Sequence, residues 1–329
     1  MPLRLPNQFG QRGDATMGTP HFSLSRTVDC QPLDRWSTIA VELLGCQTRM
    51  VKGPRWQHRV IECGSGEPLI LIHGVGGHAE TFARNMANLG QHFHVLAIDA
   101  LYHGYSSKEP YDAKKRHDLQ VDAVVDLMDA YGFERAHIEG ESMGGQIAFE
   151  FGLRYPERSG KMIMNTGVGR VKLDKTDFVT PESDHSELAA LSYQAITKPT
   201  FEIMRKRLEW LVVSPDRMTD EMAEIRVRLY QDPDINAAMR QFFSVDMGKD
   251  DPWDLDPQWV ESDLKHFEPE GLVFWTEHNP GEGPDLGEYF ASAIPGCKFY
   301  LMEDAAHWPQ WEKPEEHDQV LIDFIKGGR

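Results

Sequence analysis

The stretch Ala136–Phe151 reads AHIEGESMGGQIAFEF, and its centre, Gly140-Glu141-Ser142-Met143-Gly144-Gly145, decides the fold. An apolar run, Ala136-His137-Ile138, precedes it and a helical pattern, Gln146 to Phe151, follows. Strand, G-x-S-x-G, helix is the setting of a nucleophile elbow, a sharp turn that lifts a serine hydroxyl above the end of a sheet. Such a turn forces strained backbone geometry on Ser142, so its neighbours must be small, and Gly140, Gly144 and Gly145 supply the room. The helix that starts there points unpaired N–H groups and its positive end at the same spot.

Working outward, the rhythm on both sides is strand–helix alternation. Leu69-Ile70-Leu71-Ile72 is a continuous apolar run of the kind buried on both faces in a parallel sheet. His73-Gly74-Val75-Gly76-Gly77 and a helical stretch to Leu89 follow it. Val95–Asp99 predicts the next strand, about 114–131 a helix, and Met162-Ile163-Met164 the strand after the elbow helix. This order predicts an α/β fold with a mostly parallel central sheet and right-handed crossovers. Upstream, Trp36–Leu44 has helical spacing ending at Gly45, and Gln47–Val51 and Gln57–Cys63 alternate as an antiparallel entry to the sheet. Residues 1–34 read as an extension without periodicity. From about 170 to 267 the strand rhythm stops, and helices over Met204–Val213 and Asp220–Tyr230 predict a helical cap inserted in a core made of 35–169 and 268–329. Strands return at Leu272–Trp275 and Lys298–Met302, and a helix over Pro314–Lys326 closes the chain.

The 329 residues carry 34 Lys and Arg against 52 Asp and Glu, a formal charge of −18. Such a chain repels nucleic acid and anionic lipid, and no basic run offsets the excess. An anionic small substrate would need a local arginine. Cys30, Cys46, Cys63 and Cys297 have neither paired nor metal-like spacing and read as reduced thiols, so no metal is expected. The N-terminus lacks the apolar region of a secretory signal and no long apolar run follows, which leads to the expectation of a soluble, cytoplasmic protein without a membrane partner. The helical cap and the N-terminal arm are the surfaces a homo-oligomer would use.

A serine hydroxyl needs a base and a pair of donors for the developing anion. His307 fits the base: it alone among 14 histidines lies past the elbow and between the last strand and the last helix. The loop after Leu272–Trp275 reads Thr276-Glu277-His278-Asn279-Pro280, which puts Asn279 where the acid of such a site is expected. An amide oxygen can orient an imidazole but cannot stabilise its charge. Glu277, Asp285 and Glu141 remain open as substitutes. The oxyanion donors would be the N–H of Val75 or Gly76 and that of Met143. Gly76-Gly77 is no phosphate loop, because no lysine follows at the required spacing.

The run Ala306-His307-Trp308-Pro309-Gln310-Trp311-Glu312-Lys313-Pro314 closely resembles the H-W-x-Q-W-E signature of meta-cleavage-product hydrolases, C–C bond hydrolases of aromatic degradation with an α/β-hydrolase fold. The likeness spans roughly residues 55–327. It implies a cofactor-independent hydrolase with Ser142 and His307 as the catalytic pair and Trp308 lining the cleft. It also implies Arg226 on the carboxylate of a 2-hydroxy-6-oxo-dienoate. The chain departs from the family's pattern at Glu141, where Asn is frequent, at Asn279 in place of the acid, and in its longer N-terminal extension. A carboxylesterase or lactonase on the same fold is the alternative, and a ligand-binding receptor or a cofactor-free oxygenase are more distant ones.

Overall fold

The computed structural model describes residues 38–179, 185–243 and 259–327. The expected N-terminal extension, Trp36 and Cys30 lie outside these residues. Among the described residues the chain begins with a short helix, α1 (Ile39–Glu42), capped by the Thr38 hydroxyl. It is shorter than the 36–44 pattern suggested, because Leu43-Leu44-Gly45 already turns toward the sheet. Strands β1 (Gln47–Lys52) and β2 (Gln57–Gly64) then pair antiparallel.

The core follows as β3 (Pro68–Ile72), α2 (Ala83–Leu89), β4 (His94–Ile98), α3 (Arg116–Tyr131), β5 (Ala136–Glu141), α4 (Met143–Arg154) and β6 (Ser159–Asn165). Next come β7 (Val171–Lys172), the cap helices α5 (His185–Thr197), α6 (Phe201–Glu209), α7 (Asp220–Gln231) and α8 (Pro233–Phe242), and β8 (Trp259–Val260). The chain returns through β9 (Gly271–Thr276), α9 (Pro284–Ala293), β10 (Lys298–Met302), α10 (Pro309–Glu312) and α11 (Pro314–Lys326). One eight-stranded sheet has the order β1-β2-β4-β3-β5-β6-β9-β10, and its strands from β4 to β10 run parallel. None of the described helices is long and apolar enough to cross a membrane.

The apolar run at β3 works as its composition dictates. Ile70 and Ile72 join the hydrophobic cluster on one face of the sheet, and Leu69 and Leu71 join that on the other. Parallel register then aligns the strand ends: Ile72 faces Gly140, Glu141 faces Asn165, Asn165 faces Phe274, and Thr276 faces Met302. Every loop that bears a site residue therefore leaves the same edge of the sheet.

Four details differ from the expectations. The 170–267 interval was read as free of strands, yet β7 and β8 form a parallel two-stranded ladder at the neck of the cap. Two-residue strands leave no alternation to read. Helix α6 runs Phe201–Glu209 rather than 204–213, because the Thr200 hydroxyl accepts from Ile203 N–H and fixes its start there. Helix α9, started by Pro284 at its first turn, lies in a stretch for which the sequence pattern predicts no element. The short α10 turn also occupies part of what read as one connection from His307 to the last helix.

Beneath the elbow, β5 is anchored by a buried polar cluster. Glu139 Oε1 lies 2.7 Å from His317 Nε2, and His317 Nδ1 lies 3.1 Å from Asp318 Oδ1, all three side chains being sealed from solvent. Asn165 Nδ2 donates to Glu139 Oε1 at 3.0 Å and to Gln310 Oε1 at 3.2 Å. Burial alone would lower the His317 pKa, but the Glu139 and Asp318 carboxylates outweigh it and push it up to about 9. Stability from this imidazolium is thus complete below its unfolded pKa of about 6.5 and is lost as pH rises through about 9. Replacing His317 by Gln leaves Glu139 buried with its charge partner gone. The variant is expected to lose about 3 kcal/mol of unfolding free energy at pH 6 in urea titrations, with the gap to wild type narrowing above pH 9.

Candidate active site

Ser142 occupies the turn between β5 and α4 with φ 54° and ψ −115°, a left-handed region that a residue with a Cβ rarely enters. Its N–H donates to Asn165 O at 2.8 Å, which fixes the turn to β6. A Cβ on Gly140 would fall inside the Gly144 backbone, and one on Gly144 would meet Ile72 O on β3, so the flanking glycines are a packing requirement. Met143 opens α4, and its N–H belongs to the first turn, where helices leave donors unused.

The loop after β3 is held from three directions. His73 accepts from Ala100 N–H at Nε2 (3.0 Å) and donates from Nδ1 to Gly74 O (2.7 Å). Burial, and next the nearby His103, hold its pKa well below 6.5, so the ring is neutral as this pattern demands. Gly74 N–H donates to Glu141 Oε2 at 2.7 Å, tying the loop to the residue before Ser142. The Tyr230 hydroxyl, from cap helix α7, donates to Gly76 O at 3.2 Å, where Gly76 has φ +69°. With these carbonyls engaged, the Val75–Gly76 segment is fixed beside the elbow.

His307 lies between β10 and α10. Its carbonyl accepts from Thr166 Oγ1 at 3.0 Å, just past the β6 residue that holds Ser142. Its Nδ1 is 2.6 Å from Asn279 Oδ1, and Asn279 Nδ2 donates to Glu282 O at 2.9 Å. The second bond orients the amide, so Oδ1 faces the imidazole and Nδ1 must carry the proton. Nε2 then presents its lone pair, 3.2 Å from Glu141 Oε1. The other carboxylates considered for this place turn away. Glu277 accepts from Asp304 N–H at 3.0 Å, and Asp285, on α9, accepts from Val179 N–H at 2.8 Å.

The signature around His307 explains itself structurally. Glu312 accepts from Ala306 N–H at 2.7 Å and from Val213 N–H at 2.9 Å, binding the histidine loop to the cap. Trp311 Nε1 donates to Arg217 O, and Gln310 O accepts from Asn85 Nδ2, both at 3.0 Å. Trp308 N–H donates to Leu211 O in the cap at 3.1 Å, and its ring lies 5.9 Å below the Arg226 guanidinium carbon.

Arg226 is 2% exposed, and its Nε and Nη2 find no hydrogen-bond acceptor among the described residues. Burial lowers its pKa, partly offset by Tyr230 and Glu141. No motif singles out Arg207, yet α6 buries it beside Arg226, with Nε donating to Ser192 Oγ at 3.1 Å and Nη1 without an acceptor among the described residues. Its signal was faint: it shares a helical stripe with Met204, Leu208 and Leu211, the buried side of the helix. Burial, and then Arg226, lower its pKa to about 10. Buried arginines with free donors are rare unless an anion completes them. The described residues include no cluster of His, Cys, Asp or Glu able to hold a metal ion. Together these residues offer a serine at a strained turn, an oriented imidazole, two backbone segments with N–H groups, and guanidinium charge close to Glu141.

Residues 67–314 match the family model for the α/β hydrolase fold. The chain is 28% identical, over 80% of its length and 90% of the relative's, to a 2-hydroxy-6-oxo-6-phenylhexa-2,4-dienoate hydrolase from Comamonas testosteroni. It is 30% identical, over 80% and 89%, to a 2-hydroxy-6-oxononadienedioate/2-hydroxy-6-oxononatrienedioate hydrolase from Paraburkholderia phymatum. A solved meta-cleavage product hydrolase from Pseudomonas fluorescens IP01 superposes with a TM-score of 0.73 at 22% identity, over 87% of this chain and all of that one. On that family match and that relative, the chain belongs to the α/β hydrolases and, among them, to the meta-cleavage product hydrolases.

Proposed function

We propose that this protein hydrolyses the C–C bond next to the ketone of a 2-hydroxy-6-oxo-dienoate, the substrate class that names both relatives. The observation that supports the reading is Arg226: a buried guanidinium whose Nε and Nη2 have no acceptor among the described residues, 5.9 Å from the Trp308 ring and close enough to act on Glu141 beside Ser142. Its planar fork suits the dienoate carboxylate, and it answers how a chain of charge −18 takes an acidic substrate.

In this reading His307 first moves a proton that converts the dienol to its keto tautomer, so that the departing carbon leaves as a stabilised carbanion. Ser142 Oγ then transfers its proton to His307 Nε2 and attacks the remote carbonyl. The N–H groups of Met143 and of Val75 or Gly76 hold the resulting oxyanion. The C–C bond breaks with its electron pair on the carbon fragment, which takes the proton from His307. Water then releases the acyl group from Ser142. Asn279 keeps the imidazole in the tautomer that offers Nε2 to the serine, and Trp308 and Gly76 shape the cleft.

The test is bleaching of the yellow dienoate chromophore beside hydrolysis of a short p-nitrophenyl ester. Ester turnover without dienoate cleavage would make the protein a carboxylesterase instead. Ser142→Ala is expected to lose about four orders of magnitude in dienoate turnover while still binding the substrate, as followed by its spectral shift in stopped flow. Near wild-type turnover in that variant ends the serine mechanism. Arg226→Gln is expected to raise the dienoate KM about a hundredfold, equivalent to roughly 2.7 kcal/mol, while the KM for p-nitrophenyl acetate, which has no carboxylate, stays within about threefold. An unchanged KM would remove Arg226 from carboxylate recognition.

A further inference from the structure

The acid position of this site holds a neutral amide, yet the reaction must create a positive imidazolium. Asn279 Oδ1, 2.6 Å from His307 Nδ1, aligns the ring and brings no charge. On the opposite side, Glu141 Oε1 lies 3.2 Å from Nε2, the nitrogen that receives the proton. Glu141 is fully buried, and its other oxygen, Oε2, is taken by Gly74 N–H at 2.7 Å. Oε1 has no hydrogen bond of its own among the described residues. The carboxylate is therefore fixed by one oxygen on the oxyanion loop and presents the other to the base.

We propose that Glu141 supplies from the Nε2 side the negative charge that the Asp-to-Asn departure at position 279 removes from the Nδ1 side, making it the electrostatic partner of the His307 imidazolium. This rests on the serine–histidine reading above, not on the identity of the substrate. The balance is simple. The Ser142 proton moves to Nε2, the Oγ electron pair forms the new bond to the carbonyl carbon, and the carbonyl π pair moves to oxygen. Glu141 neither gains nor loses an atom; its charge offsets the one that appears on the ring.

The arrangement has a pH signature. Burial raises the Glu141 pKa to about 8, against lowering by the Gly74 N–H and by Arg207 and Arg226 from the cap, with Glu139 on its own strand adding to the rise. Below that pH the acid proton sits on Oε1, since Oε2 is accepting from Gly74, and it points at Nε2. The protonated form thus competes with Ser142 for the base and offers no charge. The ionised form frees the lone pair and stabilises the imidazolium. Both effects make serine activation rise with pH through about 8.

The test reads serine reactivity without any dienoate: the rate at which a fluorophosphonate probe labels Ser142 in the full-length protein, from pH 6 to 10. Wild type is expected to show a one-proton rise centred near pH 8. Glu141→Gln, whose amide oxygen can still accept from Gly74 N–H, is expected to lose that rise and to label about a hundredfold more slowly at pH 9.5. Adding Asn279→Asp to Glu141→Gln is expected to restore most of the rate, now without the rise near pH 8. Wild-type rate and profile in Glu141→Gln would overturn the proposal. So would a deficit that Asn279→Asp fails to relieve while the melting temperature is unchanged, because Glu141 would then act only by pinning the Gly74 loop. Failure of dienoate cleavage with this labelling pattern intact would refute the substrate assignment alone.

Discussion

An L-residue enters the backbone region of Ser142 only under constraint, at a cost of about 1–3 kcal/mol, and the surrounding structure is what holds it there. Asn165 accepts the Ser142 N–H, and the same asparagine reaches with its side chain to Glu139 and Gln310. The sealed Glu139–His317–Asp318 cluster under β5 therefore supports the turn from below. Packing of Gly140 and Gly144 against backbone atoms closes it from the sides. Strain at Ser142 and burial of charge beneath it are two ends of one network.

The cleft is completed by contacts that cross between core and cap. Tyr230 reaches down to the loop after β3, while Glu312 and Trp311 reach up to Val213 and Arg217. On the same side, Arg226 lies 5.9 Å from the Trp308 ring, and the Arg207 and Arg226 guanidinium groups are close enough to act on the Glu141 carboxylate. Cap arginines and elbow glutamate thus tune one another. The arginines draw the Glu141 pKa down, and burial pushes it up further than they can offset.

Much of this was legible in the sequence because chain order and loop position carry information that survives folding. Ser142, His307 and Asn279 each follow a strand whose apolar run is unmistakable, and parallel register delivers them to one edge. Arg207 was hidden because an arginine in a short amphipathic helix reads as solvated until the packing of α5 against α6 is known. The sequence pattern favours Asn279 by position and leaves Glu277 and Asp285 open as substitutes, because distance along a loop does not say which side chain turns inward. The conformation that sends Glu277 to Asp304 and the helix that takes Asp285 to Val179 decide it. The β7–β8 ladder fell below the length at which alternation exists.

The Trp308–Leu211 link joins two main-chain groups, amide to carbonyl. Its strength owes nothing to the side chain at 211, so mutation there can remodel the interior wall of the cap while the roof stays at a constant distance from the histidine loop. A fold latched in this way can change the side chains of its cap by single substitutions without loosening the tie between the cap and the histidine loop.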